Sequence, residues 1–108
     1  MPFPPEKRHC VSVLRDARLI EAYVPGLRAR ESGWLDEVQR QTERALPHAH
    51  HHVRVVAVPD DEMLLFIVWT ELGEPPEPAE LAAALIRLGD RLVVQRVVDA
   101  QLCLETAS

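Results

Sequence analysis

A chain of 108 residues, 47% hydrophobic and 27% charged, is the size of one folded domain that buries its own core without disulfides or metals. Its formal net charge of −5 argues against non-specific nucleic-acid binding, which demands clustered Lys and Arg, and the sequence shows no such cluster. The longest apolar run, residues 63–69, falls far short of the roughly 18 residues that span a bilayer, and the N-terminal residues carry no hydrophobic signal core, so the expectation is a cytoplasmic protein with neither nucleic acid nor membrane as partner.

Residues 1–8 are proline-rich and aperiodic and read as an extended arm, leaving 9–108 as a single domain. Residues 9–15 are β-branched and alternate. Asp16-Ala17 looks like a turn, and a second extended run follows to Val24, closed by Pro25-Gly26, so the segment reads as a hairpin. A helix over 17–24 with Asp16 as N-cap competes, because Leu19, Ile20 and Tyr23 also fit a helical stripe. The spacing of Trp34, Leu35, Val38, Thr42, Ala45 and Leu46 predicts an amphipathic helix over 31–46, with Ser32 as N-cap and Pro47 as its stop.

Residues 53–58 and 63–70, joined by Pro59-Asp60-Asp61-Glu62, read as a further hairpin. Its second strand is apolar on both faces. Met63, Leu65, Ile67 and Trp69 project one way and Leu64, Phe66 and Val68 the other, and one layer of helices can cover only one of those faces. After a connection broken by Gly73, Pro75, Pro76 and Pro78, residues 79–88 predict a second helix capped by Gly89. The valine-rich stretch 90–98 predicts a strand in preference to a helix, Asp99-Ala-Gln101 a turn, and 102–104 a last edge strand.

The resulting order, ββαββαβ(β), predicts an α+β two-layer sandwich with both helices on one face of an antiparallel sheet. It approaches the ferredoxin-like order if the first hairpin is a single strand. Cys10 and Cys103 can pair only if the terminal strands are neighbours, and the expectation in a cytoplasmic setting is two reduced thiols buried as small hydrophobes.

Candidate chemistry is sparse. In an extended segment His48, His50 and His52 project to one side, where neutral imidazoles could hold zinc, while histidines following a helix C-terminus also simply complement its dipole. Protonation of all 5 histidines would bring the formal charge from −5 to 0 and favour association in mild acid. No nucleophile elbow or glycine-rich phosphate loop is present, and Cys10 and His9, adjacent on a strand, point apart. Trp69, Trp34 and Phe66 are the candidate binding anchors.

Three functional expectations follow. The leading one is a dimeric, non-enzymatic domain recognising a protein partner, with no cofactor, based on the doubly apolar strand and an acidic rim. The second rests on element order and length alone. Ferredoxin-like chains that dimerise through their sheets include cofactor-independent oxygenases and isomerases with a pocket between sheet and helices, and in such a chain His9, Tyr23 and His52 are the candidate catalytic residues, with Trp69 beside them. The third is a zinc-binding protein built on the histidine cluster.

Overall fold

The computed structural model describes residues 10–46, 50–88 and 92–107, and the side chains of 12–46, 50–88 and 92–104. The proposed arm, His9, Pro47, His48 and Gly89 lie outside the described residues. The elements run β1 (Cys10–Tyr23), α1 (Trp34–Ala45), β2 (His51–Val58), β3 (Met63–Thr70), α2 (Pro78–Ile86) and β4 (Val93–Ala107). All four strands pair antiparallel in one sheet ordered β2-β3-β1-β4. The helices touch each other, α1 lying on β2 and α2 on β4, which makes an α+β two-layer arrangement with both helices on the same side.

The first hairpin is absent. Residues 10–23 form a single strand, because β4 supplies pairing partners along its whole length and Asp16-Ala17 therefore never has to turn. The last turn is absent for the same reason. Asp99, Ala100 and Gln101 lie directly opposite Arg18, Ala17 and Asp16, inside one continuous 15-residue strand. The competing helices over 17–24 and 93–104 do not form.

α1 begins three residues later than the periodicity predicts, and its N-cap is Gly33, not Ser32. The chain reaches it through a short 3-10 turn, Leu27–Ala29, and Gly33 takes φ +97, a left-handed conformation that a side chain would strain. At the other end Leu46 is extended, as the residue before a proline must be, and it is buried. Pro78 opens α2 at its first turn, where a missing backbone N–H costs nothing.

The core lies between the helices and one face of the sheet. Phe66, Leu64 and Val68 of β3 and Ile20 and Ala22 of β1 are buried there with Val53 and Val55 of β2, under Val38, Leu81 and Leu85 of the helices. Opposite Glu21 and Ala22 the ladder shifts: Glu21 pairs with Arg96 and Ala22 with Val94, so Gln95 is the extra residue of a bulge. The bulge returns Val94 to the helix side, where it packs with Val97 against the core.

α1 also closes the outer edge of β2. The Gln39 amide donates to the Val53 carbonyl at 2.6 Å and accepts from the Val55 N–H at 2.9 Å, doing for that edge what a neighbouring strand would do.

The register settles the cysteine question. The terminal strands are neighbours, but Cys10 lies opposite Ala107 and Cys103 opposite Leu14, an offset of four residues, or about 13 Å along the strands, against a usual limit near 7 Å for a disulfide. Alkylation without reductant, read by intact mass, is expected to modify both cysteines of every folded chain. A mass lacking two alkyl groups in the monomer would contradict this register.

Candidate functional site

Antiparallel pairing puts residues that lie opposite one another on the same face. The face away from the helices therefore gathers Met63, Leu65, Ile67 and Trp69 of β3 with Leu19 and Tyr23 of β1, Val56 and Val58 of β2, and Val98 and Leu102 of β4. The alternation is sharp along β3. Leu64, Phe66, Val68 and Thr70 are buried, whereas Met63, Leu65, Ile67 and Trp69 are only half-buried, screened by each other and not by any further layer. Among the described residues no element covers this face.

The sheet is not uniform along its length. β3 pairs with β1 only over Ala17–Tyr23, so residues 10–16 pair with 101–107 alone and continue as a two-stranded ribbon. The ribbon alternates too. Val13, Leu102 and Leu104 continue the open face and are half-buried, while Ser12, Leu14, Gln101 and Cys103 point the other way and are exposed. Ala17 and Ala100 sit opposite each other where ribbon meets sheet, beside Trp69, and Ala17 is buried there.

His52 lies on the open face opposite Trp69. The rings stack at 5.4 Å between centroids, and the His52 Nε2 is 3.0 Å from the Glu71 carboxylate. Arg15 reaches in from β1 and donates to the Glu71 carbonyl at 3.2 Å. This corner has the parts of an oriented imidazole, but it is open to solvent: the His52 and Glu71 side chains are 43% and 58% exposed.

The other predicted residues are not brought to it. Tyr23 pairs with Met63, six residues along β3 from Trp69, or about 20 Å away. His9 and His48 lie outside the described residues, and His50 is an exposed turn residue. Among the described residues no group of three or more His, Cys, Asp or Glu side chains is placed to hold a metal ion.

Phe66, expected as a binding anchor, is completely buried under the helices and is a core residue. Trp34 packs half-buried against the core at the start of α1, with the Arg30 guanidinium 4.7 Å from its ring. Glu71 and Arg15 were not anticipated from the sequence. Glu71 reads there as part of a solvated acidic connection, and only the end of β3 brings it beside His52.

Two cavities are lined by other residues, the first of them reaching Ala17 beside Trp69. One of about 300 Å³ is lined by Asp16, Arg18, Glu74 and Asp99 where the ribbon leaves the sheet. An open groove of about 640 Å³ follows Arg30, Trp34, Glu37 and Arg40 at the start of α1. Neither contains His52, Tyr23 or Trp69. Among the described residues no helix is long and apolar enough to cross a membrane. No known protein family matches the chain, and neither a curated protein nor a solved structure matches it.

Proposed function

We propose that this chain is a small, non-catalytic interaction domain that recognises a protein through the open face of its sheet. One observation carries the reading: a contiguous run of apolar side chains on the open face, from Val56 across Leu65, Ile67 and Leu19 to Val98, that no element among the described residues covers. Single exposed apolar residues are ordinary on a soluble protein, but a continuous patch of several hundred Å² marks a surface that works in company.

The oxygenase or isomerase alternative needs an enclosed pocket where polar groups converge. Two of its candidate residues, Tyr23 and His52, lie at opposite ends of the sheet, which favours the interaction reading. The element order, β-α-β-β-α-β once the first hairpin is one strand, supports a ferredoxin-like description, and a cytoplasmic setting accords with two thiols that the register holds apart.

The test compares proteins retained from a lysate of the native host by the immobilised wild-type chain and two variants. Leu65→Glu puts a further carboxylate on the open face directly opposite Glu21, and Ile86→Glu puts one on α2, where the side chain is already 62% exposed. With both variants folded by circular dichroism, Leu65→Glu is expected to lose proteins that Ile86→Glu retains. Equal retention by the two would remove the open face as the working surface.

A further inference from the structure

We infer that the protein taken up by the open face is a second copy of this chain, stacked sheet against sheet. The inference rests on the interaction reading above and names its partner. Three features of the face select this occupant.

The first is charge. Most of the carboxylates lie elsewhere, among them Asp36, Glu37 and Glu43 on α1, Glu80 on α2, and Asp60 and Asp61 in the turn after β2. On the open side, among the described residues, Arg15, Arg54 and Arg96 stand beside Glu21 and Glu71, and Arg96 bonds Glu21 across the strands at 2.8 Å. Two molecules that each carry −5 repel least when these near-balanced faces meet. A basic partner would be drawn instead to the helices and turns, where the acid lies, and an acidic one is repelled by the rest of the surface.

The second is area. Four strands over seven residues, plus two strands over the seven-residue ribbon, project roughly 650 Å² at ordinary strand spacing and rise, close to the ~800 Å² per partner of a stable protein–protein interface. Two sheets packed at about 10 Å would interdigitate Val56, Leu65, Ile67, Leu19 and Val98, and would cover with them the Glu21–Arg96 pair and Arg54, which share their rows.

The third is the ribbon. A two-stranded hairpin is marginal in water without a hydrophobic face to pack. Val13, Leu102 and Leu104 give the β1–β4 ribbon such a face, continuous with the sheet's own, and among the described residues no layer lies against it. A second copy extends the cover along the ribbon as well as across the sheet.

Sedimentation velocity over a concentration series, on the full chain, tests the inference. The wild type is expected to sediment as a dimer that dissociates on dilution, and Leu65→Glu as a monomer at the same concentrations. Leu72→Glu, placed at a loop residue 80% exposed, is expected to remain dimeric.

Because Leu65→Glu could fail by unfolding, a Trp34→Phe background isolates Trp69, whose acrylamide quenching is expected to fall at least twofold as the otherwise unmodified chain is concentrated. A wild-type monomer at every concentration, with Trp69 quenching unchanged, overturns the dimer. If that monomer still loses lysate proteins on Leu65→Glu, the interaction reading survives without the dimer, and if it does not, both fall. A dimer insensitive to Leu65→Glu overturns the face.

Discussion

Phe66→Ala is expected to lower the unfolding free energy by about 3–5 kcal/mol, a large part of the ~5–15 kcal/mol that holds an ordinary domain together. Phe66 has no exposed surface and lies at the middle of the core, against Ile20 and Val55 in the neighbouring strands and beneath the helices. Alanine removes the ring's transfer energy and leaves a cavity in a layer held between a sheet and two helices, which can collapse only partly. Urea titration reads the effect as a lowered midpoint at unchanged slope.

Ile67→Ala, one residue further along the same strand, provides the contrast. Its side chain is half-buried on the open face, so in the monomer it loses only part of a contact and leaves no enclosed void. Its effect is expected to be the smaller in dilute solution and to grow with protein concentration. A Phe66→Ala cost below 1 kcal/mol would mean that the core is not centred where the buried residues place it.

Gln39→Ala is expected to cost about 1–2 kcal/mol, from two hydrogen bonds to the backbone of β2 at the net worth of such bonds in proteins. The amide sits between α1 and the sheet edge, so its loss uncouples a helix from a strand and exposes an edge N–H and C=O for pairing with another chain. Gln41→Ala is the control. Its amide bonds Glu37 within the same helix, an arrangement worth a few tenths of a kcal/mol. Urea midpoints separate the two, and light scattering on heating is expected to rise sooner for Gln39→Ala. Equal midpoints for both variants would show that solvent replaces the Gln39 contacts at no cost.

The elements that could be read from the sequence are those whose signal is local. The α1 stripe, the β2–β3 turn at Pro59–Asp61, Pro78 at the head of α2 and the alternation of β3 all express periods and backbone restrictions that a few neighbouring residues impose. The doubly apolar character of β3 was legible for the same reason. It already implied that two helices leave one face uncovered.

What misled was punctuation. Asp16-Ala17 and Asp99-Ala100-Gln101 each resemble a turn, being small or polar between apolar runs. In the folded chain they face each other across β1 and β4, at the place where the four-stranded sheet becomes a ribbon. The residues are polar and small there because the surroundings change. Asp16 and Asp99 are exposed, Asp99 forms an ion pair with Arg18, and Ala17 fits against Trp69. Residues 81 or more positions apart in the chain carry that information only jointly.

The site divides along the same line. His52 and Trp69 stood out by residue type, and the sheet register stacks them. The distance between Tyr23 and that corner, the approach of Glu71 and Arg15, and the burial of Phe66 depend on strand pairing and on the direction in which β3 ends. The sequence by itself determined the helical stripes and a strand with two apolar faces, since short-range periodicity suffices for these. Only the tertiary structure decided which face the helices cover, that the terminal strands run unbroken as a ribbon, and that the described elements leave an apolar surface open, because each depends on non-local pairing and on how much area two short helices can hide.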